Sequence, residues 1–490
     1  MRVLALCLMA RTASADVVFE NLSANLPEHQ YTGGWEHFVG GGVAVFDCNG
    51  DTLPDLVAAG GDTPAALFIN RGNMQFASGP LPVLTDTTGA YPLDVDADGH
   101  LDLMVLRVGE NQLLQGDGNC GFAPANDTWG YEPQDKWSTS FSATWQAGQL
   151  VMAVGNYVDR ADPEGPFEAC DDNALYYWKE EKFDGTPLAP GFCALSMLFA
   201  RDASGQTRLR VSNDRHYYVR DGSEQMYDLK LGRFLTPDDG WERVRLWGMG
   251  IASRDITGDG RAEVMLTSMG DQLMQIAGSD GLYTRAPFSL GTYAQRPHLG
   301  DEGRPSTGWH AEFGDLNNDA RPDLFIAKGN VDQMPGLAME DPNSLLIQQP
   351  DGTFAELSVE AGVATMDRSR GASLVDLDAD GLLDLVVMNR RAPMELYRNA
   401  TSATGHWLVV DLSMTGDNSH AVGALIELTA GGVTQTQEIT VGGGHAGGQA
   451  GPLHFGLGEA LVADLKVTWP DGQVAHYKNI SADQRLDLTP

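Results

Sequence analysis

The chain is poor in positive charge. Lys and Arg number 32 against 67 Asp and Glu, a formal net charge of −35 over 490 residues. Phosphate recognition needs clustered Lys and Arg, so a nucleic-acid partner is excluded. No internal stretch approaches the roughly 20 apolar residues that a membrane span requires. No heptad run and no long low-complexity tract is present, which argues against a coiled coil or a disordered chain. There is no His-Glu-x-x-His, and no Gly-Lys-Ser/Thr follows the glycines at 442–451, so zinc-protease and P-loop signatures are missing. Cysteines number only 5, with no spacing typical of zinc.

What the chain has in quantity is glycine, 58 residues, and aspartate placed in a pattern. One nine-residue unit, Asp-x-Asp/Asn-x-Asp-Gly-x-x-Asp, recurs between apolar stretches. Its copies begin at Asp47, Asp94, Asp255, Asp315 and Asp376. The short gaps are 47, 60 and 61 residues, and the long one, 161, is about three of them. Two further units are therefore expected between Asp102 and Asp255. The candidates are Phe141 to Tyr157 and Asp202 to Asp214, which keep a turn-then-strand shape without most carboxylates. Each unit reads as short strands separated by turns, such as Gly42-Val-Ala-Val-Phe46 before an acidic loop and Leu56-Val-Ala58 after it. This spacing describes a seven-bladed β-propeller. The last unit ends at Asn399 without its final strand. Val17 to Ser23 resembles Thr353 to Ser358 and is expected to supply it, closing the ring and removing an exposed sheet edge.

The acidic loops have the chemistry of a calcium site. Calcium is a hard cation taking six to eight oxygens. Positions 1, 3, 5 and 9 offer side chains and position 7 a backbone carbonyl. The expected ligands are Asp47, Asn49, Asp51, Leu53 and Asp55; Asp94, Asp96, Asp98, His100 and Asp102; Asp255, Thr257, Asp259, Arg261 and Glu263; Asp315, Asn317, Asp319, Arg321 and Asp323; and Asp376, Asp378, Asp380, Leu382 and Asp384. That makes about five Ca2+ sites. A single such turn is often only polar; five in one register are not chance. Position 6 favours glycine, found at Gly99, Gly260 and Gly381. Thr52 and Ala320 there are expected to cost about 1 kcal/mol each in left-handed backbone. An EF-hand is excluded, because the twelfth residues from Asp94 and Asp376 are Val105 and Val387, within apolar strands.

The grammar changes near Thr401. His406–Leu412, Ala424–Leu428 and Thr434–Val441 read as strands of a small β-sandwich over 401–490. Gly442 to Gly451, with His445 and His454 flanking it, reads as a turn-rich loop of that sandwich. The N-terminus has a basic start, a short apolar core and Ala13-Ser-Ala15, so residues 1–15 read as a signal peptide. Export leaves Cys48, Cys120, Cys170 and Cys193. Cys170–Cys193 is the better disulfide, bracketing what reads as an irregular insertion, and Cys48–Cys120 is the remaining pair. The aromatic runs at Tyr176-Tyr-Trp178, His216-Tyr-Tyr218 and Trp241 to Trp247 read as packing, or as a face for carbohydrate or protein.

The acidic loops and Phe-ending turns resemble FG-GAP/VCBS repeats. His406-Trp-Leu408, Gly423-Ala424, Gly443-Gly444, His454-Phe-Gly-Leu-Gly458 and Trp469-Pro-Asp-Gly472 resemble the ASPIC/UnbV domain. The combination over 16–400 and 401–490 resembles the cartilage acidic protein family and its bacterial relatives. That resemblance implies a secreted or periplasmic calcium-binding propeller that binds or adheres to an unidentified protein or carbohydrate, and not an enzyme. The alternative is a propeller-class polysaccharide lyase or hydrolase.

Overall fold

The computed structural model describes residues 17–162, 169–214, 222–293, 299–301 and 303–490. The expected signal peptide and His216–Tyr218 lie outside the described residues.

The chain is all-β. Its first part forms seven antiparallel groups of four strands. Sheet I holds Val43–Phe46, Asp55–Ala58, Ala66–Asn70 and Phe76–Ser78. Sheet II runs over Thr87–Leu93, Asp102–Gly109, Gln112–Gly116 and Phe122–Pro124. Sheet III holds Lys136–Gln146, Gln149–Asn156, Asn173–Lys179 and Lys182–Leu188, and joins sheet II by two residue pairs at its first strand. Sheet IV has Ala194–Arg201, Thr207–Asn213, Gln225–Asp228 and Arg233–Phe234. Sheet V has Gly248–Arg254, Glu263–Ser268, Leu273–Ala277 and Tyr283–Arg285. Sheet VI has Gly308–Gly314, Asp323–Lys328, Ser344–Gln348 and Phe354–Glu356. Sheet VII combines Ser369–Val375, Asp384–Asn389 and Glu395–Asn399 with the N-terminal Phe19–Asn21. Phe19 lies opposite Asn399 and Asn21 opposite Tyr397.

The first strands pack against one another in chain order, and that of sheet VII packs back on that of sheet I, closing a cycle. Each sheet is therefore buried on both faces. Strand alternation divides its residues between two neighbours. Ala44, Phe46, Val57 and Leu67 of sheet I join a core with Ala90, Leu103 and Leu114 of sheet II. Val43, Val45, Leu56 and Phe68 face the other way, onto Val386, Met388 and Leu396 of sheet VII. This is why the strands read as continuous apolar runs. Leu56→Ala would open a void between sheets VII and I, costing about 2–5 kcal/mol.

Two disulfides, Cys48–Cys120 and Cys170–Cys193, are formed. The first ties an acidic loop of sheet I to the last hairpin of sheet II. The segment inside the second is not an irregular insertion: it carries the two outer strands of sheet III. Its aromatics pack inward, with Tyr176 and Phe183 in a core shared with Trp129 and Tyr131.

The C-terminal part has a sheet of His406–Leu412, Leu453–Gly458 and Gln484–Leu488 and another of Leu425–Ala430, Val433–Glu438, Val462–Thr468 and Val474–Ser481. Leu408, Val410 and Phe455 of one meet Ile426, Leu428 and Val467 of the other in a shared core. The glycine-rich segment does not stay with these sheets. It enters the ring, where Gly443 N donates to Met197 O (2.7 Å), Gly444 N to Ile251 O (2.7 Å) and Gly448 N to Ala90 O (3.3 Å). Ser142 Oγ donates to Val441 O (2.5 Å). Gln449 and Ala450 pair in parallel with Val45 and Phe46. Gln449 Nε2 donates to Ser373 Oγ (2.6 Å) and His445 N to His310 Nδ1 (3.1 Å). The segment thus touches the first strand of all seven sheets. Glycine is required by closeness: a Cβ on Gly447 would lie 2.2 Å from Val43 O.

Candidate metal centres

Five acidic loops join the first and second strands of sheets I, II, V, VI and VII. They share one hydrogen-bond plan. The first carboxylate accepts the N–H of position 6 in every copy: Thr52 on Asp47 (2.7 Å), Gly99 on Asp94 (3.0 Å), Gly260 on Asp255 (2.9 Å), Ala320 on Asp315 (2.7 Å) and Gly381 on Asp376 (2.9 Å). The carboxylate at position 5 accepts from position 7: Leu53 on Asp51, His100 on Asp98, Arg261 on Asp259, Arg321 on Asp319 and Leu382 on Asp380, at 2.8–3.0 Å. Position 6 is left-handed throughout, including Thr52 (φ 71°) and Ala320 (φ 67°).

Two features escaped the sequence pattern. Position 4 is left-handed as well, at Gly50, Ala97, Gly258, Asn318 and Ala379, with φ between 58° and 74°. No residue type is shared there, so no signal existed. The acid at position 9 is a clamp. Asp55, Asp102, Glu263, Asp323 and Asp384 are fully buried. Each accepts the N–H of position 2 with one oxygen and that of a residue on or just past the third strand with the other. For Asp384 these are Leu377 N (2.9 Å) and Asn399 N (2.8 Å); for Asp102 they are Val95 N (2.8 Å) and Gly116 N (2.9 Å). The ninth residue therefore fixes the loop to its sheet.

Two loops gather carboxylates most closely. Asp94, Asp96 and Asp102, and likewise Asp376, Asp378 and Asp384, bring one oxygen each within 4.8 Å of the others. The Asp94, Asp96 and Asp378 Oδ1 atoms are buried without a hydrogen-bond partner. A divalent cation would supply the missing contact, and a donor set of hard oxygens fits calcium. Asp98 and Asp380 stand outside these clusters. In the other three loops position 3 is Asn49, Thr257 or Asn317, so the position-3 carboxylate of these clusters is lacking there. Cys48, Asp55 and Cys120 also lie close together, but both sulfurs are spent in the disulfide.

Electrostatics agree with a missing counter-charge. Burial pushes Asp102 up to about 8 and Glu263 to about 7, and holds Asp55 and Asp376 at about 6. Burial also raises Asp315, Asp323 and Asp384. Basic side chains partly compensate. Arg398 Nε donates to Asp378 Oδ2 (2.6 Å), and its guanidinium also binds Asp380. Arg261 pairs with Asp259 and Arg321 with Asp319. In sheet IV, Arg208 pairs with Asp202 and with Asp228 (3.0 Å). There a guanidinium supplies the positive charge beside the one acid that the loop keeps.

The C-terminal sheets sit on the face that carries these loops. Ser419 Oγ donates to Asp94 Oδ2. His454 Nε2 bonds Gly381 O (3.0 Å). Gly405 N donates to Asn317 O (3.0 Å) and Gly458 N to Asn318 O (2.8 Å). This cover is why Asp315, Asn317 and Asn318 are buried.

Residues 47–105 match the FG-GAP-like repeat family, and residues 414–490 match ASPIC and UnbV. The chain carries both of these modules. Human cartilage acidic protein 1 is 25% identical over 174 residues, 35% of this chain and 26% of that protein. The Xenopus tropicalis protein of the same name is 31% identical over 111 residues, 22% of this chain and 17% of that one. The alignments thus span about a quarter or less of those relatives. Among solved structures, BBS1N in complex with ARL6DN covers 80% of this chain and 99% of its own, at 11% identity and TM-score 0.48. YCF48 bound to D1 peptide covers 79% and 99%, at 9% identity and TM-score 0.43. Among the described residues no helix is long and apolar enough to cross a membrane.

Proposed function

We propose that this chain is a secreted, non-catalytic calcium-binding protein. Its seven sheets are the blades of a β-propeller, its C-terminal sheets form a β-sandwich, and it mediates extracellular binding or adhesion. The observation that carries the calcium reading is the set of buried, unpartnered oxygens on Asp94, Asp96 and Asp378 inside loops of one shared geometry. Two disulfides suit an oxidising compartment. The ions hold the ring: each would neutralise a turn whose clamp residue reaches a more distal strand of its own sheet. A lyase or hydrolase would need an acid, a base and a nucleophile converging at the channel mouth. The glycine-rich segment fills the channel instead, which favours a binding surface over a catalytic cleft. A protein or carbohydrate ligand is the class proposed here.

The test is the melting temperature of the full chain in excess calcium and in chelator. Each site at one hundred times its Kd adds about 2.7 kcal/mol. A rise of several degrees in calcium is expected. Equal melting in both conditions overturns the reading.

A further inference from the structure

A cavity of about 390 Å³ winds around the glycine-rich segment, between the C-terminal sheets and the first strands of the ring. That volume is within the range of small-ligand sites. Much of its wall is apolar, including Trp145, Leu198, Phe313, Leu425 and Ile439. Arg254, the last residue of the first strand of sheet V, also lines it.

Arg254 is the unmatched cation of this wall, which also holds the acidic-loop residue Asp94 with its unpartnered Oδ1. Arg201 is matched to Glu438, with Arg201 N donating to Glu438 Oε2 (2.8 Å) and the guanidinium 3.6 Å from Oε1. Glu312 accepts from Leu374 N (3.1 Å) and from Gln449, and bonds His310 Nε2 (3.2 Å). Asp202 is taken by Arg208 and Asp411 by Arg485. The Arg254 backbone pairs with Glu263 in the sheet V ladder, but its side chain makes no hydrogen bond and no ion pair within the described residues. The carboxylates nearest in effect are Asp255 and Asp315. Both are committed to their own loops, Asp255 accepting from Gly258, Asp259 and Gly260 and Asp315 from Asp319 and Ala320. An arginine cannot shed its charge. Half-buried on the cavity wall, its guanidinium is left without a protein partner but still open to an anion that enters the cavity.

We propose that this cavity binds a small organic carboxylate, with its head group on the Arg254 guanidinium and a compact apolar body against Trp145, Phe313 and Ile439. A planar carboxylate can take two parallel N–H donors from one guanidinium. The apolar wall excludes a bare inorganic ion as the matching ligand and favours an aromatic or alicyclic acid. The site is separate from the acidic loops in ligand charge and does not rest on calcium occupying them.

The test titrates the full chain with benzoate, with benzyl alcohol as its neutral counterpart, and with sulfate, at fixed ionic strength and by calorimetry. One saturable benzoate site is expected, with benzyl alcohol and sulfate each at least tenfold weaker. R254Q is expected to weaken benzoate at least tenfold and to melt no lower than the parent in the absence of any added acid, since it removes an unpaired charge. Its calcium response, measured separately, is expected to persist. Benzoate and benzyl alcohol binding alike, or no benzoate binding, overturns the proposal on the parent chain alone. Sulfate binding as tightly as benzoate overturns the carboxylate assignment. An R254Q that unfolds or melts several degrees lower shows that Arg254 has a structural partner, and also overturns it.

Discussion

Ser419, on a loop of the C-terminal sheets, donates its hydroxyl to Asp94, the first carboxylate of the sheet II acidic loop. The hydrogen bond holds the Asp94 carboxylate in place through Oδ2 and leaves Oδ1 free for a cation. Such outer contacts typically change metal affinity 10- to 100-fold. Ser419→Ala is expected to weaken one calcium site by about tenfold and leave the Asp376 loop unchanged. Asp94→Asn with Asp96→Asn is expected to remove one bound ion altogether. Calorimetric stoichiometry checks both; an unchanged ion count in the double variant contradicts the assignment.

Arg398 stands in the Asp376 loop as a resident cation, bound to Asp378 and Asp380. Calcium must compete with it. Arg398→Met is expected to raise calcium affinity at this loop while lowering the melting temperature in chelator. The two shifts have opposite signs, so a variant that is merely misfolded is recognised by weaker binding and lower melting together.

Gly99 and Gly381 occupy the same place in the repeat and the same left-handed backbone, at φ 87° and 84°. Their surroundings differ. A Cβ on Gly99 meets nothing within 4 Å, whereas one on Gly381 would lie 2.0 Å from the Trp407 indole. Gly99→Ala is expected to cost about 1–2 kcal/mol from backbone strain alone. Gly381→Ala is expected to cost more, because Trp407 must leave its seat. Urea denaturation of the two variants measures the difference; equal costs would place Trp407 elsewhere.

In the ion-free protein, burial holds Asp102 at about 8, Glu263 at about 7, and Asp55 and Asp376 at about 6. Each is above its ordinary value, so the folded chain binds these protons more tightly than the unfolded one. Their contribution to stability is complete below about pH 4 and is lost as pH rises through about 6 to 8. The melting temperature in chelator is therefore expected to fall between about pH 5 and pH 8.5. With calcium bound, the cation takes the place of the protons and that fall is absent. Scanning calorimetry across this range should show the calcium-induced rise widening with pH; a constant rise contradicts it.

The ring was legible because its signal is repeated. Five acidic loops in one register located five sheets, and the likeness of Val17–Ser23 to Thr353–Ser358 placed the N-terminal strand beside Asn399. Sheet III was legible only in part, its first two strands through the candidate unit Phe141 to Tyr157. Ala147-Gly148 joins its first two strands with no acids to mark them, and the Cys170–Cys193 bracket made its outer strands look like an insertion. The path of Gly442 to Gly451 was also illegible. Glycines tell how closely backbones can approach, but not which backbone they approach. His445 contacts Gly40, Met249 and His310, residues between 135 and 405 positions away. Local pattern carries no information at that range. Ser419, Arg398 and Gln115, whose Nε2 donates to Asp96 Oδ2 (2.7 Å), were missed for the same reason: each touches its loop from outside the nine-residue unit.

Phe19–Asn21 pairs with Glu395–Asn399, and this imposes an order on synthesis. Phe19–Asn21 must wait for a partner made almost four hundred residues later. Until then sheet VII has an open edge and the apolar Phe19 has no seat, both hazards for a growing chain. The glycine-rich segment arrives later still, so the centre of the ring is filled only after its circumference is joined. Joining of the ring is thus a late event, and a nascent chain that has not yet made residues 395–399 still exposes an unpaired sheet edge.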